Sequence, residues 1–232
     1  MHQTIVRQYE NACMMLMRRE NDNVFFLGTA FLVHEDGYLV TASHLVNEDD
    51  DLVIAHASQG GGYTHLGMET VVPIPVEVVN LDPNCGIALL KFAPELQLGV
   101  PEPDTILGNP ETIQEGDYLL SFGVSFGHVG IHNVFAMHAM LSAKLYSMNE
   151  TKILLFDKVT HAGTMGGPLV HSEEGRIVGV IQGLFDPLMI TGRTPPEDFY
   201  LESRIAYAVT IDYLEPMLEA EGVVIDRSPG SP

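Results

Sequence analysis

The chain has 232 residues, 46% of them hydrophobic, and carries 31 acidic against 11 basic side chains for a formal net charge of −20. That size and apolar content suit one domain or two small packed ones and exclude an intrinsically disordered chain. The charge argues against nucleic acid and anionic membranes as partners, because phosphate binding needs clustered Lys and Arg. Solubility is the ordinary reason for such a surface, and selection of a basic partner is the other.

Residues 3 to 12 are read as a short helix. Arg7 and Glu10 stand before the brief apolar run Ala12–Met17, which lacks the order of a signal peptide, and no apolar run approaches the roughly 20 residues of a membrane span. The expectation is a cytoplasmic protein, with a processed exported form left open. Met14-Met15-Leu16-Met17 reads as the first core strand rather than a Met-rich contact surface. Val24–Val33, Tyr38–Thr41, Asp51–Ala57 and Val71–Val79 are rich in β-branched and aromatic residues and predict strands. Glu35-Asp36-Gly37, Gln59–Gly62 and Asn80–Asn84 predict the turns between them. Pro73 and Pro75 within one run predict an edge strand.

The Pro-rich stretch Ala93–Glu111 predicts a link that divides the chain into residues 1–100 and 101–232. Beyond it, Asp117–Phe122, Asn133–Tyr146, Lys152–Phe156 and Arg176–Gly183 predict further strands, with a hairpin turn at Glu173-Glu174-Gly175. Ile211–Glu221 predicts a helix stopped by Gly222, and Arg227–Pro232 a frayed tail. Regularly spaced short strands give an all-β class, barrel or sandwich. Cys13 and Cys85 make no disulfide framework and are expected to pack as small apolar residues. His132 and His138 share one strand face if their segment is regular, with His128 nearby. No carboxylate or cysteine completes a ligand pattern, so neither a metal nor a cofactor is expected.

Several segments carry a family pattern. Gly28–Val33 and Asp36–Val46 form a strand-turn-strand that delivers His44; Asp82–Lys91 contains Gly86-Ile87-Ala88-Leu89-Leu90-Lys91. Gly116–Gly123 is followed by Phe126-Gly127, and Gly163-Thr164-Met165-Gly166-Gly167-Pro168-Leu169-Val170 by Arg204–Val209 and Asp212-Tyr213-Leu214. In this order, over roughly residues 24 to 220, the blocks resemble the trypsin-like serine proteases of the HtrA-type branch. The resemblance implies two antiparallel six-stranded β-barrels with short helices at the termini. The N-terminal barrel would carry His44 and Gly86, and the C-terminal barrel Met165. Five blocks in order speak for the fold, and they speak for activity only where the catalytic residues match.

Two of the three do not match. The family's histidine falls on His44, but Gly86 stands at its aspartate and Met165 at its serine. Serine-protease chemistry needs a hydroxyl to attack, a histidine to take its proton and a carboxylate to hold that histidine. A thioether has no proton to give. The resemblance puts the oxyanion hole at the backbone N–H groups of Gly163 and Met165, which do not depend on the side chain at 165. It puts the peptide groove along Val180-Ile181-Gln182-Gly183, open to strand addition. Met165 either fills the vacant pocket beside His44 or leaves that groove open. Thr164 is expected to point elsewhere, Cys85 neighbours the lost aspartate rather than the lost serine, and Asp49, Asp50, Asp51 and Asp82 are the carboxylates within loop reach of His44.

The reading is a pseudoenzyme of protease fold that binds a peptide or protein partner. The alternative is an active serine-type endopeptidase with a non-standard triad, or an inactivated form of one. A structural subunit of a larger assembly is a third possibility, and the oligomeric state is left open. Met165→Ser alone is expected to restore little, whereas adding Gly86→Asp supplies both missing groups to one histidine.

Overall fold

Successive side chains of a strand point to opposite faces, and in this chain both faces of the central strands are buried. The computed structural model describes residues 2–21, 23–57, 72–93, 106–158, 160–186 and 205–223. After a helix α1 (His2–Ala12), the first six strands are β1 (Cys13–Glu20), β2 (Asn23–Leu32), β3 (Tyr38–Ala42), β4 (Leu52–His56), β5 (Ile74–Asp82) and β6 (Ile87–Phe92). They close into an antiparallel barrel in the order β1-β2-β3-β6-β5-β4. The next six are β7 (Tyr118–Gly123), β8 (Phe135–Tyr146), β9 (Lys152–Asp157), β10 (Pro168–His171), β11 (Ile177–Leu184) and β12 (Ile205–Thr210). They close a second barrel in the order β10-β11-β12-β9-β8-β7. The all-β, two-barrel expectation is met.

The alternation explains the strand sequences. Ala88, Leu90 and Phe92 of β6 fill the first barrel with Leu39 of β3. Ile87 and Leu89, on the opposite face, join Tyr38 and Val40 in a cluster that also takes Phe122, Ile153 and Leu155 from the second barrel. Likewise Leu154 and Phe156 of β9 fill the second barrel, beside Leu169, Val178 and Ile181. A strand between a barrel interior and a barrel–barrel contact has no solvent face, so its sequence runs nearly continuously apolar.

The chain ends cross over. The Tyr9 hydroxyl of α1 donates to the Gly175 carbonyl in the second half at 2.7 Å, and the Tyr9 ring lies 5.2 Å from that of Phe122. At the other end a 3-10 turn (Ile211–Tyr213) leads into α2 (Leu214–Ala220), which lies against β6 of the first barrel. Gly222, in the left-handed region at φ 82°, ends α2 as expected, while Val223 N–H donates back to the Leu218 carbonyl. Gly175 turns the β10–β11 hairpin at φ 70°.

Two expectations are corrected. β5 is not an edge strand, since it pairs with β4 and β6 in a closed barrel. Pro75 is tolerated because it sits at the start of the strand, before its ladder with β6 begins at Val76, and its carbonyl still accepts from Ala93 N–H. His132 and His138 do not share a strand face, because β8 starts at Phe135; His132 is half-buried and His138 exposed. Cys13 and Cys85 are free and buried. The expected turn at 59–62, the start of the 71–79 run, Arg204, the tail at 227–232 and most of the 93–111 link, with its domain boundary, lie outside the described residues.

Candidate functional site

The barrels meet at three turns, and β11 runs beneath them. His44 lies in a 3-10 turn, Ser43–Leu45, directly after β3. The Ser43 N–H donates to the Gly86 carbonyl at 3.0 Å, which ties this turn to the one between β5 and β6. Gly86 has φ 76°, a conformation that favours glycine. Met165 follows a third turn, Ala162–Thr164. Its carbonyl accepts from Thr29 N–H of β2 at 2.9 Å, and Gly166 N–H donates to the Ile181 carbonyl at 2.8 Å. The turns that carry His44, Gly86 and Met165 thus lie along one seam.

The space for an aspartate side chain is already taken. A Cβ placed on Gly86 would meet the Gln182 side-chain amide, with Oε1 at 3.1 Å and the amide carbon at 3.3 Å. Gln182 is buried; its Nε2 donates to the Gly86 carbonyl at 3.0 Å and to the Val180 carbonyl at 3.3 Å. Both amide hydrogens are committed, so Oε1 is the atom left to accept from His44, with which Gln182 also hydrogen-bonds. The group packed between His44 and Gly86 is thus a neutral amide. This role of Gln182 was missed; the residue was assigned to the groove because its place on the strand does not reveal where its side chain turns. The signal is the β-bulge between Ile181 and Gly183, which re-aims the intervening side chain.

His44 presents an exposed edge, yet desolvation on its packed side lowers its pKa below the ordinary histidine value, and the Gln182 hydrogen bond only partly opposes this. A ring-proton titration is therefore expected to give a midpoint below about 6.5, the unperturbed value. With the folded pKa below the unfolded one, His44's contribution to stability is complete above about pH 6.5 and declines as pH falls from there toward the folded value. A midpoint at or above 6.5 would contradict the desolvated arrangement.

Two groove expectations fail. Met165 N–H donates to the Ala162 carbonyl at 3.3 Å, and Thr164 N–H to the His161 carbonyl at 2.9 Å. The segment has wound into a closed 3-10 turn, so one of the two N–H groups expected to hold an oxyanion is spent on its own chain. Val180 and Ile181 are fully buried and paired on both sides, Val180 with Pro168 and Val209, and Ile181 with Gly167 and Ala208. They offer no edge to a peptide. Of the four groove residues, Gly183, at φ 141°, has no ladder partner on the β10 side among the described residues, and the Met165 sulfur covers it, 3.3 Å from where a Cβ would stand. Met165 is half-buried and fills this end of the groove.

Most of the candidate groups for an alternative triad are otherwise engaged. Thr164 is buried, its hydroxyl 3.2 Å from that of Ser125. Burial pushes the Cys85 thiol up to about 12, and the thiol donates to the Asp82 carbonyl at 3.7 Å. The Asp82 carboxylate accepts from Asn84 and Cys85 N–H groups, Asp50 from Asn47, and Asp51 lies 3.7 Å from Arg19. Thr29 was missed as well. Its hydroxyl donates to the Gly163 carbonyl at 2.7 Å and accepts from Val124 N–H at 2.9 Å, pinning the Met165 turn to the first barrel. Among the described residues no group of three or more His, Cys, Asp and Glu is placed to hold a metal ion. No helix among them is long and apolar enough to cross a membrane.

Comparison with known proteins agrees with this geometry. The model of a family described as trypsin-like peptidase domain matches residues 28–180, which include His44, Gly86 and Met165. The chain is 26% identical over 166 residues to the magnetosome formation protease MamE of Magnetospirillum gryphiswaldense, covering 69% of this chain and 19% of that protein. It is 29% identical over 153 residues to a probable periplasmic serine endoprotease, DegP-like, of Chlamydia trachomatis, covering 66% of this chain and 27% of that protein. It therefore spans less than a third of the length of either relative. Among solved structures, the HtrA-type protease AlgW with a tripeptide superposes with a TM-score of 0.69 at 20% identity, over 97% of this chain and 65% of that one.

Proposed function

The chain belongs to the family of trypsin-like peptidase domains, and on that premise we propose that it is a catalytically silent member that acts by binding a peptide or protein partner. One observation carries this: the serine position holds a thioether, and the space for the aspartate side chain is occupied by the Gln182 amide. A histidine held by an amide and facing no hydroxyl has no proton to take and no carboxylate to stabilise its charged form. The residual left by such losses, about 10³–10⁴ over water, comes from oxyanion stabilisation and binding alone. Here the turn bond at Met165 removes part of that remainder too.

Two surfaces suit a partner. The Gly183 end of β11 is short and covered by Met165, so a peptide pairing there must displace the thioether. The other surface surrounds a cavity of about 240 Å³ lined by Met15, Met17, the exposed Val24, Phe26 and His132. Its apolar, uncharged make-up favours a protein partner. As for compartment, the relatives described as periplasmic favour an exported setting over the cytoplasmic one expected from the sequence. The two buried, free cysteines are compatible with either.

A second reading, an active endopeptidase, is favoured by the relatives, which are described as proteases. Fluorophosphonate labelling separates the two. The purified chain is expected to stay unlabelled and to leave casein intact. Stoichiometric labelling, abolished by replacing one Ser or Thr, would establish the peptidase reading instead.

A further inference from the structure

The seam holds one feature that neither catalysis nor peptide pairing uses. A cavity of about 260 Å³ lies behind His44, on the Gly86 side and away from Met165. Both barrels build it: Ser43, His44 and Gly86 with their neighbours from the first, and Asn149, Ile153 and Tyr207 with theirs from the second. Among the described residues no Asp, Glu, Lys or Arg lines it, in a chain with a net charge of −20. Its walls are already tied together, since the Asn84 carbonyl accepts from Asn149 Nδ2 at 2.9 Å and from the Thr151 hydroxyl at 3.0 Å. Such cross-barrel bonds fix the cavity before any ligand arrives, which lowers the cost of binding.

Its unused polar groups include two donors, and the Ser43 hydroxyl beside them can donate or accept. The half-buried Tyr207 hydroxyl makes no hydrogen bond among the described residues, while its ring is steadied edge-on by Phe185 at 6.2 Å. Burial raises the Tyr207 pKa, so the phenol keeps its proton at neutral pH. Asn149 spends only one amide hydrogen on Asn84. Ile153, Val209 and Pro83 supply apolar wall. Two free donors beside an apolar wall suit a carbonyl oxygen on an apolar body. An anion would find no compensating cation there, and a cation no carboxylate.

We propose that this cavity is a binding site for a small uncharged carboxamide, its carbonyl oxygen accepting from Tyr207 and Asn149 and its apolar body against Ile153 and Val209. The site stands whether or not the chain is catalytically silent. A free amide and the side chain of a glutamine in a docked peptide present the same chemistry, so both are tested.

The experiment follows backbone and side-chain amide resonances of the full chain while benzamide, benzoate and benzylamine are added separately. Benzamide is expected to shift Gly86, Asn149 and Thr151 saturably, and the two charged analogues to leave them in place. Tyr207→Phe removes a hydroxyl with no partner among the described residues, and the variant is expected to keep its fold; it is expected to weaken benzamide about tenfold, the size of one hydrogen bond. A short Gln-containing peptide that displaces benzamide assigns the site to a peptide side chain, and one that does not assigns it to a free ligand; either supports the site. Shifts confined to Met165, Gly183 and Leu184, equal binding of benzoate, or no loss in Tyr207→Phe would overturn it.

Discussion

A Gly86→Asp/Met165→Ser double variant is expected to hydrolyse an activated ester no faster than the parent chain. Restoring a nucleophile and its carboxylate to an intact site should be easy to see, since loss of the nucleophile alone costs about 10⁶ in turnover in a well-studied serine protease. Three obstacles in this structure stand in the way. An aspartate at 86 must adopt φ near 76°, which costs a non-glycine residue about 1–2 kcal/mol. Its Cβ then crowds the Gln182 amide, 3.1 Å from Oε1, and that amide yields only by straining its bonds to two carbonyls. Finally, the Met165 N–H stays bonded to the Ala162 carbonyl in a wound turn, and a serine side chain does not unwind it. Fluorophosphonate labelling and ester hydrolysis by the folded variant check this. An acceleration of a thousandfold or more would show that the seam rearranges freely and that Gln182 is a bystander.

That expectation differs from the one drawn from sequence, and the difference shows what a sequence conveys. The strands were legible because their signal is local: Tyr38–Ala42 and Lys152–Asp157 are β-prone runs bounded by turns, and the motif blocks supplied their order. The turns that hold His44, Gly86 and Met165 were legible from the same blocks. The state of the turn at 162–164 was not, because a 3-10 hydrogen bond from Met165 to Ala162 has no residue signature apart from the serine's absence. Nor was the role of Gln182, which depends on a bulge in β11 and on an empty volume at Gly86, ninety-six positions away in sequence. The burial of Val180 and Ile181 on both sides is likewise a property of barrel closure rather than of their own segment.

The glycines of the Met165 segment give the other large effect. Gly167→Ala is expected to destabilise the chain by about 4 kcal/mol or more, the range that requires a definite mechanism such as overpacking. A Cβ at 167 would collide with the Phe122 carbonyl oxygen and approach the Thr164 carbonyl oxygen at 3.0 Å. Both are backbone. Phe122 sits in β7, and Gly167 itself is held by bonds from its N–H to Thr164 and from Ile181 N–H to its carbonyl, so neither side yields without breaking a barrel. Gly222→Ala is the control: its φ of 82° carries the left-handed penalty of about 1–2 kcal/mol, but a Cβ there meets nothing within 4 Å. Urea unfolding of the two variants compares space with backbone conformation. If Gly167→Ala unfolds within about 1 kcal/mol of the parent, the close approach of the β7 backbone to the chain entering β10 is not what this glycine serves. If it unfolds as expected, Gly167 is accounted for by the meeting of two backbones, and its place beside Met165 is no sign that catalysis survives.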